Sequence, residues 1–155
     1  IKSYKTEKVV LMIIVLAGVF FRFYHYTGFS LSNDELSAVN RLHFSNISEL
    51  INKGAGPMVT PGTKAFGLSP ASIRFPFVLI SSFAPFFGFL FVRKIFGSAP
   101  ALFTAVALAF SGFPVLYGQI ARPYGIGLSF TLLTAWLWSE VVFSVEKNKT
   151  GKVIT

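Results

Sequence analysis

FPFVLISSFAPFFGFLFV, Phe75 to Val92, is the stretch whose reading decides the fold. No charged side chain interrupts it, and three more apolar runs flank it: Val9–Tyr26, Pro100–Tyr117 and Tyr124–Val145. Each is close to the roughly 20 residues that a helix needs to cross a hydrocarbon core about 30 Å thick. Inside lipid the backbone has only itself to hydrogen-bond, so a spanning segment of this kind is a helix. The expected fold is all-α integral membrane. Its transmembrane helices, about four, lie at 9–26, 73–92, 100–117 and 124–145, and an external loop covers 27–72. Pro76, Pro85 and Pro114 predict kinks or helix starts. Ala101, Ala105, Ala109 and Gly112 recur at threes and fours, a spacing that lets helices approach closely in lipid.

Composition agrees. Of 155 residues 53% are hydrophobic and 13% charged, whereas a soluble domain carries about a quarter charged. There is no cysteine, hence no disulfide framework and no thiol chemistry. The net charge of +8 does not point to nucleic acid, because the cations cluster beside the apolar runs and form no basic stripe interleaved with stacking aromatics. Lys2, Lys5 and Lys8 precede an apolar core as in a signal peptide, but bulky Phe20, Phe21, Phe23 and Tyr24 follow with no small-residue cleavage site, so an uncleaved anchor is expected. The start at Ile1 and the resumption of apolar character at Val153–Thr155 fit the N-terminal module of a longer chain. Lys2, Lys5, Lys8, Arg93, Lys94, Lys147, Lys149 and Lys152 fall on one side in short segments, which predicts a cytoplasmic N-terminus and an external long loop. A multi-pass protein of the bacterial inner membrane is the expected setting.

The long loop opens with Ser32-Asn33-Asp34-Glu35, a capping-box pattern with Ser32 as N-cap. Leu36, Val39 and Leu42 then predict a short amphipathic helix on the membrane surface, and a second starts near Asn46 and stops at Gly54. Gly54–Gly62 is a loop of small residues. Across the bundle sits a second polar island, Gln119-Ile120-Ala121-Arg122-Pro123-Tyr124, expected on the same side as the acid pair.

These islands hold the candidate chemistry. Asp34 and Glu35 point about 100° apart on a helix, so they do not address one substrate equally. Asp34 is the candidate general base, with Glu35 as its helper or a ligand for a divalent metal; the plainer reading is that both start a surface helix. Arg122 suits a phosphate or pyrophosphate, or is an interfacial arginine. Gln119 and Tyr124 are neighbouring donors or members of an interfacial belt. Arg74 pairs with a lipid phosphate or a loop carboxylate, unless it is an interface anchor. Arg22 and His25 read as interface anchors, and His43 as a lone surface histidine. No metal-ligand set or cofactor is assigned. There is no P-loop, no GxGxxG and no Ser-His-Asp arrangement.

In order along the chain, the acid pair, Phe66-Gly67 with Ser72-Ile73-Arg74-Phe75-Pro76, the turn Arg93-Lys94-Ile95-Phe96-Gly97 and the segment Gln119-Ile120-Ala121-Arg122-Pro123-Tyr124 together carry a resemblance. From Val9 to Val145 the sequence resembles the N-terminal part of the polyprenyl- or dolichyl-phosphate-sugar-dependent glycosyltransferases. Protein O-mannosyltransferases and lipid A aminoarabinose transferases, all of the C-type membrane fold, belong to that group. The resemblance implies a lipid-linked sugar donor, a protein or lipid acceptor, and transfer with inversion on the external face. It maps the acid pair of the active site onto Asp34 and Glu35, with Asp34 activating the acceptor, and the donor-phosphate arginine onto Arg122. The sequence departs from the pattern at Gly56–Thr63, which is short and plain where family members carry an aromatic-rich helix. That departure favours the rival reading, a non-catalytic membrane subunit or scaffold. A transporter is disfavoured because the second and third spans carry no charge in their interiors from Phe75 to Val92 and from Ala99 to Leu116.

Overall fold

The computed structural model describes residues 2–28, 30–33, 35–36, 67 and 69–151, with side chains for 5–143 of these. The described elements are all helical: α1 (Lys2–Phe23), α2 (Pro70–Ser81), α3 (Ala84–Phe96), α4 (Ser98–Phe110), α5 (Gly112–Gln119) and α6 (Pro123–Gly151). The two surface helices expected around Leu36–Leu42 and Asn46–Gly54 fall almost entirely outside the described residues, as does His43.

Two stretches are long and apolar enough to cross a membrane: Pro70–Phe96, which joins α2 to α3, and Pro123–Phe143 of α6. The pair α4 and α5, bent by 51° at its break, makes a third if it is one span. Four spans were expected. The difference lies in α1, where the uncharged stretch between Lys8 and Arg22 rises only about 20 Å at about 1.5 Å per residue.

Both helix breaks have identifiable causes. Pro85 stands in the first turn of α3 and has no N–H to continue α2. At the step before it, the Ser81 and Ser82 hydroxyls both donate to the carbonyl of Val78, at 3.0 and 2.7 Å. Pro114 acts likewise in the first turn of α5, and Ser111 bridges to α4 in an extended conformation. Pro76 lies inside α2.

The packing is inverted relative to a soluble protein. Met12, Leu16, Phe103, Phe113 and Trp138 are exposed, while Arg22, Glu35, Arg74, Ser81, Ser82, Gln119, Ser129 and Ser139 are buried. Three of the four residues of the expected small-residue stripe form the seam of the bundle, while the fourth, Gly112, stands exposed at the start of α5. Ala101, Ala105 and Ala109 of α4 are fully buried against Leu11 and Ile14 of α1 and Phe89 of α3. A Cβ added to Gly18 would stand 3.1 Å from that of Ala109, and one on Gly88 would stand 2.5 Å from the Leu108 side chain. Ion pairs fix which ends lie together. Arg93 meets Glu7 at 3.0 Å and Lys94 meets Glu140 at 2.8 Å, so the start of α1, the end of α3 and the late turns of α6 share one end. The other end is built around Ile73, Phe77, Ala121 and Ile126.

Candidate functional site

At that second end the two polar islands meet. The capping box forms with both arms: Ser32 Oγ accepts from the N–H of Glu35 at 3.3 Å, and Glu35 Oε2 accepts from the N–H of Ser32 at 2.9 Å. The Glu35 carboxylate also reaches well beyond its own helix start. Arg74 grips it with two parallel bonds, Nε to Oε1 and Nη2 to Oε2, each 2.8 Å. The backbone N–H of Ala121 donates to Oε1, also at 2.8 Å. Both charged side chains are buried. Burial alone would push the Glu35 carboxyl up, but the Arg74 guanidinium and the N–H donors of Ala121 and Ser32 hold it down at about 2.

Arg74 is placed by a second capping box, in which Ser69 and Ser72 bond reciprocally at the start of α2. Further donors reach the carbonyls of Tyr26 (2.8 Å) and Ser30 (3.1 Å). One guanidinium therefore ties the turn after α1, the start of the loop that follows and the start of α2 to a single carboxylate. Of the two polar roles open to Arg74 in the sequence, pairing with a loop carboxylate is the one the geometry displays.

Gln119 is also buried, and its amide nitrogen donates towards the carbonyls of Phe21, Arg22 and Tyr24 at 3.1, 3.0 and 3.0 Å. These belong to the C-terminal end of α1, where helix carbonyls lack intrahelical donors. The converse contact comes from Arg22. Expected at the interface, it is instead fully buried, donating to Gly18 O at 3.1 Å and Leu108 O at 2.8 Å. The Leu108 carbonyl sits in the last turn of α4, beside the break, where a cation is favoured. Thus α1 caps α4 while the end of α5 caps α1. His25 stands in the turn beyond α1 with φ 56° and packs against the Tyr24 ring.

The turn that carries Arg122 is held closely. A Cβ on Gly125 would come within 2.8 Å of the Cα of Gly118 and 2.9 Å of the Cβ of Ser81. Ser81 Oγ donates to Gly118 O at 3.2 Å, and Ser129 Oγ to Ile80 O at 3.0 Å. Arg122 follows Ala121 directly and is half-buried. Tyr124 is largely exposed at the start of α6 and meets the Tyr117 ring edge-on at 5.4 Å. A recess of about 170 Å³ opens among Ser30, Ser32, Glu35, Arg74, Leu116 and Gln119. Asp34 lies outside the described residues. Among the described residues no group of three His, Asp or Glu side chains is placed to hold a metal ion.

A bundle with apolar side chains outward, buried charges inward and two or three membrane-length helices is that of a multi-pass integral membrane protein. The chain belongs to the dolichyl-phosphate-mannose-protein mannosyltransferase family, whose family model matches residues 58–154, more than half of its length. These are membrane glycosyltransferases that draw on polyprenyl-phosphate sugar donors. Neither the comparison with curated proteins nor that with solved structures gives a match.

Proposed function

We propose that this chain carries the acceptor- and phosphate-handling part of a glycosyltransferase that moves a sugar from a polyprenyl- or dolichyl-phosphate donor to a protein or lipid acceptor. Transfer takes place on the external face of the membrane, with the N-terminus cytoplasmic and α1 acting as a fourth span. A bacterial inner membrane is the setting. The observation that carries the reading is the 2.8 Å bond from the N–H of Ala121 to Glu35. Asp34 precedes Glu35 and Arg122 follows Ala121, so the bonded pair flanks the two residues assigned to chemistry.

In the proposed step Asp34 takes the proton of the acceptor nucleophile, a hydroxyl in a protein acceptor. The nucleophile attacks the anomeric carbon, and the bond from that carbon to the phosphate oxygen breaks. A single displacement inverts the anomeric centre. The electron pair leaves on the lipid phosphate, where Arg122 stabilises the developing charge. Tyr124 and Gln119 border the same turn. Glu35 and Arg74 act as positioning residues, because each carboxylate oxygen already accepts from Arg74 and from a backbone N–H.

Sugar release from radiolabelled polyprenyl-phosphate-sugars by membranes holding the full chain tests this. Asp34→Asn and Arg122→Ala should each abolish transfer while leaving insertion intact. Mutants that keep pace with native protein would sink the assignment. A native protein that turns nothing over would favour the scaffold reading, to which the plain Gly56–Thr63 stretch also points.

A further inference from the structure

Opening towards the opposite end of the bundle, a groove of about 460 Å³ runs between Glu7–Leu16 of α1 and Phe86–Arg93 of α3. Its walls are apolar, formed by Leu11, Val15 and Leu16 with Phe86, Phe89 and Leu90. Its mouth is charged, with Lys8, Glu7 and Arg93. Arg93 binds the Glu7 carboxylate through Nε and Nη2, at 3.0 and 3.3 Å, and lies over the Phe89 ring. Lys94 binds Glu140 close by. Among the described side chains that line the groove, two cations, Lys8 and Arg93, therefore accompany one carboxylate, Glu7. The net charge at the mouth is positive.

We propose that this groove binds an anionic phospholipid, one acyl chain between α1 and α3 and the phosphate at Lys8 and Arg93. Charge complementarity selects the headgroup, since basic pockets between helices at a membrane surface attract anionic lipid. The walls suit the tail, since apolar side chains line the slot and a hydrocarbon chain can lie against them. The site is not the proposed donor site. Lys8 and Arg22 lie on one helix, about 20 Å apart at about 1.5 Å per residue, which puts the charged mouth of the groove and the Glu35–Arg74 junction at opposite ends of the bundle. The inference stands whether or not the glycosyltransferase reading does.

The test is lipid retention. The full chain is reconstituted in nanodiscs of equal phosphatidylglycerol and phosphatidylcholine, extracted gently, and its retained lipids are counted by native mass spectrometry. Phosphatidylglycerol should be enriched about fivefold or more, the effect of a single cation near the surface. Lys8→Gln, a surface change, should bring the ratio close to one, and Val15→Trp should block retention of either lipid. Equal retention of both lipids by the native chain would overturn the headgroup assignment, and retention unchanged by Val15→Trp would overturn the groove. Cross-linking of Val15→Cys to another segment or a second copy would show a protein occupant and overturn the proposal.

Discussion

Glu35→Gln is the sharpest perturbation available, because it keeps the shape of the side chain and removes only its charge and one acceptor. Every described partner of that carboxylate is a donor: two guanidinium N–H groups of Arg74, the N–H of Ala121, and the N–H and hydroxyl of Ser32. An amide puts its own NH₂ against at least one of them and takes the Glu35 charge away from the buried Arg74 cation. Removing one partner of a buried ion pair costs about 3–5 kcal/mol. Titration gives a similar figure. A carboxyl held at about 2 against an ordinary 4.5 is stabilised by ~3 kcal/mol, at about 1.36 kcal/mol per pH unit. For a chain of this size that corresponds to a fall in Tm of roughly 10 °C, read by thermal unfolding of purified protein in detergent. The pH dependence has a definite sign. The folded-state pKa is depressed, so the contribution is full above about 4.5 and fades as pH falls towards about 2. The native protein should therefore lose more stability across that window than Glu35→Gln does. Replacing both partners, Glu35→Met with Arg74→Met, should recover part of the loss. A Glu35→Gln protein within 2 °C of native (about 1 kcal/mol or less), with an unchanged acid profile, would refute the reasoning.

Other expectations follow from the same geometry. Gly125→Ala drives a Cβ into the backbone of Gly118 at 2.8 Å, which a flexible side chain cannot relieve; a loss of about 1–3 kcal/mol or more should appear as a lower Tm. Gln119→Glu sets a carboxylate against three carbonyls and should destabilise the end of α1, seen as faster amide exchange from Phe21 to Tyr24. Arg22→Lys keeps the charge but not the fork that spans Gly18 O and Leu108 O; roughly 1–2 kcal/mol of stability should go, measured in the same melts.

Much of the architecture was legible because its causes are local. An uncharged apolar run, a proline without an N–H and alanines every fourth residue each act through their immediate surroundings. So does the capping box at Ser32, which formed as its spacing predicts. The box at Ser69 was harder to see because Ser72 stands where Glu or Gln is usual. The roles of Arg22 and Gln119 were not legible at all. Each satisfies a carbonyl more than 80 positions away along the chain, and only the packing of α1 against α4 and α5 brings those groups within reach. A small-residue signal was present, in Gly18, Ala109 and Gly118, but it marks close approach without saying which cation fills the gap. Glu35 illustrates both cases: its capping role was written in four consecutive residues, whereas its grip on Arg74 and Ala121 required the folded bundle.

The Glu35–Arg74 clasp joins positions 39 apart in sequence and so closes a ring of chain through side chains alone. Once the ring is closed, its circumference matters little to folding. Even treated as a free chain, doubling the enclosed length adds only about 0.6 kcal/mol of closure entropy, a fraction of what the clasp itself contributes. Insertions and deletions between the two partners are thereby decoupled from the stability of the bundle. Selection can lengthen, shorten or rewrite that connecting segment while the helices remain unchanged.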